Sequence, residues 1–132
     1  MRALDTDILV RLLLHDDPDQ TPRAIAVCSE SGFVSLTVLL ECFWVLRSYG
    51  ALGIAATAEA LRLLLALEHL EIEAAPRVAW AIDRFEAGAD FPDLLHLIAA
   101  MSNASVDRFA TFDRTLQRGA GPDVPLPVET LA

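Results

Sequence analysis

A single carboxylate interrupts the most apolar stretch of this sequence. Glu41 is the only charged residue between Leu36 and Leu46, a segment whose composition predicts a helix. At about 100° per residue, Thr37, Glu41 and Ser48 lie within about 40° of one another, so this helix has one narrow polar stripe. An unpaired carboxylate is unstable in an apolar interior. We therefore expect Glu41 to face solvent, a partner cation or a metal ion in a cleft.

Two aspartates follow segments that are typical of short buried strands. Asp5 follows Arg2-Ala3-Leu4, and Asp113 follows Phe109-Ala110-Thr111-Phe112. In an open α/β sheet, ligands collect beyond the carboxyl ends of the strands. An aspartate after a strand is equally suited to be the N-cap of the next helix. Each of the two residues, taken alone, therefore fits either a cap or a ligand.

Asp93 lies in the first turn of another predicted helix. In Asp90-Phe91-Pro92-Asp93, Pro92 marks the helix start, and acidic side chains are favoured at the positive end of the helix dipole. Helix formation alone explains Asp90 as the N-cap and Asp93 as an acid three residues later. A metal role for Asp93 does not follow from this segment by itself.

Short strands and helices alternate along the chain and must position these acids. Strands are predicted at 2–4, 33–35, 70–72 and 109–112, with an edge strand within 124–128. Helices are predicted at 8–14, 19–29, 36–49, 54–68, 76–87 and 91–103. The alternation predicts an α/β sandwich with a short, mainly parallel central sheet flanked by helices. With 132 residues, the chain has the length of one domain, and we expect a single domain over 1–132.

Four segments that contain these acids resemble, in order and in spacing, the four successive motifs of PIN-domain ribonucleases. They are Leu4-Asp5-Thr6-Asp7, Leu39-Leu40-Glu41 with Trp44-Val45-Leu46, Asp90-Phe91-Pro92-Asp93, and Thr111-Phe112-Asp113-Arg114. The chain resembles most closely the VapC-type toxins of bacterial toxin–antitoxin pairs, over residues 2–118. Two positions depart from the pattern. Asp7 stands where relatives often have Asn, and Pro92 stands where they usually have a small residue.

The resemblance implies a compact α/β/α domain that cleaves RNA with Mg²⁺ or Mn²⁺. The implied catalytic residues and metal ligands are Asp5, Glu41, Asp93 and Asp113. Hard divalent cations prefer such carboxylate oxygens, and Mg²⁺ keeps waters that can attack a phosphodiester. Candidates for orienting the ligands are Thr6, Asp7 and Thr111. Candidates for contacts with RNA phosphates are Arg11, Arg47 and Arg114.

The resemblance also implies two protein partners, a second copy in a homodimer and a cognate antitoxin whose C-terminal segment lies across the active site. Hydrophobic residues make up 54% of the chain, which is high for so small a protein. One predicted helix carries more leucine than a single core-facing stripe requires. These leucines are Leu61, Leu63, Leu64, Leu65 and Leu67. We expect some of them to be exposed at a dimer or antitoxin groove.

Charge and composition argue against several other classes of protein. The net charge of −9 argues against a broad basic surface for nucleic acid, although a local arginine cluster and a bound metal ion supply positive charge. No apolar run approaches the ~18–20 residues of a membrane-spanning helix, and the N-terminus lacks the pattern of a secretion signal. We expect a soluble, cytoplasmic protein. Cys28 and Cys42 lack metal-site spacing, and we expect them to be buried free thiols.

Two other interpretations fit parts of the sequence. Asp5-Thr6-Asp7 is typical of haloacid-dehalogenase-type phosphatases, with Asp5 as nucleophile and Asp7 as acid. Those enzymes typically use a downstream lysine, and this chain contains no lysine. The other alternative is a non-catalytic helical interaction module whose acids are only helix caps. Stoichiometric binding of Mn²⁺ distinguishes that module from a nuclease, because caps alone should not hold the ion.

Overall fold

Short parallel strands alternate with helices throughout the structure, as the sequence predicts. The computed structural model describes residues 1–132. Its seven helices and five strands fall into two units, Met1–Ala75 and Pro76–Ala132. Every strand pairing in both units is parallel. That the chain forms a single domain stays a prediction.

The first unit contains a three-stranded sheet with the strand order β1-β2-β3. The strands are β1 (Arg2–Ala3), β2 (Gly32–Val34) and β3 (Leu70–Ile72). The helices are α1 (Thr6–Leu14), α2 (Gln20–Cys28), α3 (Leu36–Arg47) and α4 (Ile54–Ala66). Because the strands are parallel, their carboxyl ends lie at one edge of the sheet. Helices α1 and α3 both begin at that edge and contact each other.

The second unit contains a two-stranded parallel sheet and three helices. The strands are β4 (Phe109–Thr111) and β5 (Val128–Thr130). The helices are α5 (Ala75–Glu86), which begins at the last residue of the first unit, α6 (Phe91–Ala100) and α7 (Leu116–Ala120). Helix α6 begins as expected, since the Asp90 side chain accepts a hydrogen bond from the Asp93 backbone N–H at 3.1 Å.

The C-terminal tail differs from the prediction. The strand predicted within 124–128 is wrong, because β5 begins only at Val128 and runs on to Thr130. Pro125 and Pro127 have no N–H group for a strand ladder, so the ladder starts after them. The Pro127 carbonyl oxygen still accepts a hydrogen bond from the Phe109 N–H at 2.8 Å. Helix α7 was not predicted at all.

The expectation that some of the five leucines in and just after α4 are exposed holds for one of them, and a dimer or antitoxin groove there stays a prediction. Leu61 and Leu64 are fully buried, and Leu65 and Leu67 are partly buried. Only Leu63 is exposed, with 49% of its surface accessible. Helix α4 contacts both α3 and β3, so a wider part of its surface is covered than a single-sided helix would need.

All seven helices are short, and both cysteines are buried. None of the seven helices combines the length and the apolar character that crossing a bilayer requires. Cys28 and Cys42 are buried free thiols, as predicted. Burial raises the pKa of both thiols, that of Cys42 to about 12, where the negative charge of Glu41 adds to the effect. Both side chains therefore stay protonated at neutral pH and are poor nucleophiles or metal ligands.

The turn after α3 brings backbone atoms into close contact. Gly50 N–H donates to the Val45 carbonyl oxygen at 2.9 Å, and Leu52 N–H donates to that of Leu46 at 3.0 Å. A Cβ atom at Gly50 would lie 2.8 Å from the same Leu46 carbonyl oxygen. The next residue, Ala51, has a φ of 51°, a left-handed conformation that a β-carbon disfavours. Glycine is therefore needed at position 50 for space, whereas position 51 would accept glycine for its backbone angle.

We predict that substitutions at these two neighbouring positions change stability in opposite directions. Gly50→Ala places a methyl group against a backbone oxygen, so it should lower the free energy of unfolding by about 1–3 kcal/mol. Ala51→Gly relieves the left-handed strain and should raise the free energy of unfolding by up to about 1 kcal/mol, or leave it unchanged. Urea denaturation followed by far-UV circular dichroism measures both. Similar losses in the two variants would contradict this account of the turn.

Candidate active site

In the first unit, Asp5 and Glu41 line one cleft of about 300 Å³. Asp5 lies between β1 and α1, and Glu41 lies in the second turn of α3. The other lining residues are Thr6, Asp7, Val10, Arg11, Val45 and Tyr49. We call this the α1–α3 cleft. It contains two of the four predicted metal ligands together with Thr6, Asp7 and Arg11 of the other predicted site residues.

Asp5 caps helix α1 with one carboxylate oxygen and leaves the other oxygen without a partner in the protein. It occupies the N-cap position of α1 with an extended backbone (φ −84°, ψ 161°). Its Oδ1 accepts a hydrogen bond from the Thr6 backbone N–H at 2.7 Å. Its Oδ2 has no hydrogen bond or ion pair within the protein, and the residue is exposed. The cap therefore orients the carboxylate without using all of its ligand capacity.

Glu41 is an exposed carboxylate with no partner in the protein. No hydrogen bond or ion pair engages it, and it faces the α1–α3 cleft while the next residue, Cys42, is completely buried. The expectation that Glu41 avoids the apolar interior is confirmed. Because Glu41 lies within α3 rather than at its end, helix capping does not account for this residue.

Thr6 is the buried polar residue of the cleft. Its side chain is 4% exposed, and its Oγ1 has no hydrogen-bond partner. Leaving a buried hydroxyl unsatisfied costs about 1–3 kcal/mol. Since Thr6 lines the cleft, an oxygen bound beside it, from a water or a phosphate, would satisfy the hydroxyl. This position supports Thr6 as a group that orients a ligand.

In the second unit, Asp93 and Asp113 are close enough for their charges to interact. Burial raises the pKa of Asp93, and the negative charges of Asp90 and Asp113 raise it further, while His96 acts in the opposite direction. These effects oppose the helix dipole of α6, which favours an ionised acid in the first turn. The third and fourth predicted ligands therefore lie near each other, and the first and second both line the α1–α3 cleft.

Asp113 is held ionised by its neighbours. Its Oδ1 accepts hydrogen bonds from the backbone N–H of Thr115 at 2.8 Å and from the hydroxyl of Thr115 at 2.7 Å. These bonds lower the pKa of Asp113. Its own backbone N–H donates to Thr111 Oγ1 at 3.0 Å, so Thr111 positions Asp113, in keeping with its predicted role.

Asp113 also lines a second cleft, of about 470 Å³, which contains two arginines that the sequence analysis did not single out. These are Arg84 and Arg118. Arg84 Nε donates to the Gly119 carbonyl oxygen at 2.7 Å. No local pattern distinguishes these two residues from the other arginines of the chain, because only the fold places them beside Asp113.

The three predicted phosphate-contacting arginines have different surroundings. Arg11 lines the α1–α3 cleft, but its Nε donates to Gln20 at 2.9 Å and its Nη1 lies 3.3 Å from Asp16. Arg47 donates from Nη1 to the Leu52 carbonyl oxygen at 3.2 Å and does not line that cleft. Arg114 is exposed. Their contacts with RNA stay a prediction.

Each unit contains two of the four predicted metal ligands. No group of three or more His, Cys, Asp or Glu side chains that could hold a metal ion is present in either unit. Mg²⁺ is usually bound through one or two carboxylates with several waters, so a closed protein cage is not required. The oxygen donors of Asp5 and Glu41, with the unsatisfied hydroxyl of Thr6 beside them, fit such an ion chemically.

Parallel strands that alternate with helices define an α/β protein, and acidic residues line one cleft in each unit. A family model described as PIN domain matches residues 2–122, and the chain therefore belongs to the PIN-domain family. PIN domains are generally nucleases, hydrolases that act on nucleic acids, and they generally use divalent metal ions. Comparison with curated proteins gave no match, and comparison with solved structures gave none either. The family and the α/β fold class predicted from the sequence are thus confirmed.

We predict that Asp93→Asn raises the melting temperature in EDTA at pH 7. Its pKa is raised in the folded state, so the ionised form of Asp93 destabilises the metal-free fold. The gain should shrink as the pH falls through that raised pKa, because the wild-type carboxyl then becomes neutral as well. Thermal unfolding between pH 7 and pH 4 measures the effect.

Asp113→Asn is the matched control. The pKa of Asp113 is lowered, so its ionised form stabilises the fold, and this contribution is lost only when the pH falls through the lowered value. The substitution should therefore give no rise in melting temperature at pH 7. A similar rise in both variants would show that the two carboxyls do not differ as described.

Proposed function

We propose that the chain is a metal-dependent endoribonuclease that hydrolyses RNA phosphodiester bonds with Mg²⁺ or Mn²⁺. The observation that carries this proposal is the α1–α3 cleft of a PIN-domain protein. There, an unpartnered Glu41, a half-engaged Asp5 and the unsatisfied Thr6 hydroxyl line one surface. The resemblance to the family motifs supplies the full expected ligand set, which is Asp5, Glu41, Asp93 and Asp113.

The residues of the α1–α3 cleft have distinct roles in this proposal. A divalent ion, when bound, supplies Lewis-acid activation of water and of the phosphate. Asp5 is held in one orientation by the Thr6 N–H, which leaves Oδ2 to bind the ion. Glu41 supplies an exposed carboxylate that no hydrogen bond or ion pair of the protein engages. The Thr6 hydroxyl can donate a hydrogen bond to a water or to a phosphate oxygen in the cleft.

Arginines in the two clefts can counter the charge of the RNA backbone. Arg11 lines the first cleft, and Arg84 and Arg118 line the second. A guanidinium matches the geometry of a phosphate with two parallel hydrogen bonds. Such local contacts are needed in a protein whose net charge of −9 otherwise repels nucleic acid.

The two alternative interpretations are less well supported. Caps alone explain Asp90 and part of the role of Asp5, but they do not explain an unpaired Glu41 within a helix. A haloacid-dehalogenase-type phosphatase disagrees with membership of the PIN-domain family and with the absence of lysine. Asp7 does line the α1–α3 cleft, so its extra carboxylate lies beside the proposed ligands.

We further propose that the protein is the toxin of a toxin–antitoxin pair and that it forms a homodimer in the cytoplasm. This proposal rests on the resemblance to VapC-type toxins. Three exposed aliphatic side chains, Ile25, Ile54 and Leu63, are available to contact a partner protein. The antitoxin and the homodimer stay predictions.

We predict that the purified protein cleaves RNA in Mg²⁺ or Mn²⁺ and not in EDTA, and that Glu41→Gln abolishes cleavage. The amide keeps the shape of the side chain but loses the charge of the ligand. We expect a loss of about 100-fold or more in rate, the size seen when a group that stabilises developing charge is removed. A gel assay with labelled RNA measures it.

Glu59→Gln is the matched control, because Glu59 is an exposed glutamate on α4 of the same unit and does not line the α1–α3 cleft. It should cleave like the wild type. Near wild-type cleavage by Glu41→Gln would remove Glu41 from the site. Cleavage that persists unchanged in EDTA would refute metal dependence.

We predict that excess Mn²⁺ raises the melting temperature over that in EDTA and that Asp5→Asn loses the rise. An ion that binds only the native state adds about 2.7 kcal/mol to the free energy of unfolding at ~100 times its Kd. Asp123→Asn, which changes an exposed aspartate of the C-terminal tail, should keep the full shift. If Asp5→Asn keeps it too, Asp5 is not a ligand.

A further inference from the structure

The cleft of about 470 Å³ in the second unit contains two arginines and no aromatic side chain. Arg84 lines it from the last turn of α5, and Arg118 lines it from α7. The loop 87–90 between α5 and α6 forms another part of its wall, and Asp113 lies in it as well. We call it the α5–α7 cleft.

The guanidinium of Arg84 is held in place and has no counter-ion in the protein. Its Nε donates to the Gly119 carbonyl oxygen at 2.7 Å, which is its only hydrogen bond within the protein. Gly121 packs against the same group, since a Cβ atom there would lie 3.1 Å from Cζ of Arg84, and its φ of 78° is one that glycine adopts readily. Because only Nε is engaged, the two terminal nitrogens are left to bind a ligand.

A half-buried cation normally has a partner of opposite charge. The chain has 19 acidic residues against 10 basic ones, and two of the acids, Asp90 and Asp113, line the same cleft as Arg84. Both carboxylates instead accept hydrogen bonds from neighbouring residues. Arg118 is exposed and has no partner in the protein either. The cleft therefore contains two guanidiniums whose terminal N–H groups are available to an anion from outside the protein.

The other groups of the cleft restrict what that anion can be. The backbone N–H groups of Ala87, Gly88 and Ala89 all donate back to carbonyl oxygens of the last turn of α5, so they do not bind a ligand. Both donors of Thr115 are engaged by Asp113. Small side chains in the loop leave room for a phosphate, and no aromatic ring is present on which a base could stack. These features favour recognition of a phosphate group over recognition of a base.

We propose that the α5–α7 cleft binds a phosphate monoester through the terminal N–H groups of Arg84 and Arg118. A monoester carries about 1.5 to 2 negative charges at pH 7 and has three non-bridging oxygens. An internal phosphodiester has one charge and one fewer such oxygen. Two guanidiniums therefore match the monoester better in both charge and hydrogen bonding. Because Asp90 and Asp113 repel any anion, direct contact with the guanidiniums determines the affinity.

Hydrolysis of an RNA phosphodiester creates such a group. Water attacks the phosphorus, the bond to one ester oxygen breaks, and that oxygen takes a proton from the water and leaves as a hydroxyl. The phosphate stays on the other product as a monoester. The link to a reaction product rests on the proposed ribonuclease function, and it makes the α5–α7 cleft a site for the phosphorylated end of a product.

The first test measures binding without catalysis. An RNA hexanucleotide with a fluorophore on an internal base is prepared with a 5′-phosphate, with a 3′-phosphate or with hydroxyl groups at both ends. Each form is titrated with protein in EDTA, and fluorescence anisotropy gives the Kd. One phosphorylated form should bind at least about tenfold more tightly than the hydroxyl form, and inorganic phosphate should displace it. Equal affinity for all three forms would overturn the proposal.

Three variants test whether the two arginines carry this preference. Arg118→Gln removes a guanidinium without a partner in the protein, and it should abolish most of the preference. Arg84→Lys keeps the charge but loses the planar fork and the bond to Gly119, and it should also weaken the preference. Arg77→Gln is the matched control, because Arg77 is an exposed arginine of α5 that does not line the cleft. It should keep the full preference.

Two results with these variants and with competitors would contradict the site. Equal losses in Arg77→Gln and Arg118→Gln would show that only net charge matters. Tetraglutamate that displaces the phosphorylated RNA as well as inorganic phosphate does would assign the cleft to an acidic peptide instead. Arg118→Gln decides the question even if Arg84→Lys fails to fold, since no contact within the protein depends on the Arg118 side chain.

The outcomes also separate this site from the proposed function. Metal-dependent cleavage of RNA without any preference for a phosphorylated end would overturn the site and leave the ribonuclease function intact. A preference in EDTA that Arg118→Gln loses, in a protein that shows no metal-dependent cleavage, would support the site and contradict the ribonuclease function.

Discussion

The parallel pairing of β1 with β2 is the constraint on which the α1–α3 cleft depends. Because the two strands run in the same direction, both end at the same edge of the sheet, and α1 and α3 begin there. Asp5 is thereby placed at one helix start, and Glu41 lies one and a half turns into the other. The approach of the strands is close, since a Cβ atom at Gly32 would lie 2.8 Å from a methyl carbon of Leu4. Because Gly32 has no side chain, β2 can approach β1 this closely.

The four acidic residues differ in the hydrogen bonds and charges around them. Asp5 and Asp113 each accept hydrogen bonds from nearby residues, which orient both carboxylates, and the bonds from Thr115 lower the pKa of Asp113. Glu41 has no such partner, and burial with like charge raises the pKa of Asp93. Unsatisfied or repelling groups reduce stability, and native proteins retain them mainly at functional sites. The same reasoning applies to the buried hydroxyl of Thr6, which has no partner in the protein.

A protein with a net charge of −9 gains little affinity for nucleic acid from bulk electrostatics. All ten basic residues are arginines, and Arg11, the one that lines the α1–α3 cleft, is already tied to Gln20 and Asp16. Those contacts hold the guanidinium in place, but they also occupy hydrogen-bond donors that could otherwise contact a phosphate. In the ribonuclease proposed above, a bound divalent ion would supply positive charge that the surface of the protein lacks.

Local patterns were sufficient for much of the fold and for part of the site. Periodicity and capping signals predict the strand Leu70–Ile72, the start of α6 at Phe91 and the exposure of Glu41, because each depends on neighbours within a few residues. The four spaced motifs also indicate the PIN-domain family, which the family match confirms. The complete four-acid set and the single-domain organisation stay predictions.

Tertiary structure decided the features that depend on distant partners. β5 is defined by pairing with β4, so the tail sequence alone placed it too early. The burial of Leu61 and Leu64 depends on what packs against α4, and helical periodicity does not report that. The opposite pKa shifts of Asp93 and Asp113 arise from burial, charge and hydrogen bonds around each carboxyl. The sequence by itself determines which groups can do chemistry, and the fold decides which of them share a cleft, because proximity in space is set by strand pairing and packing.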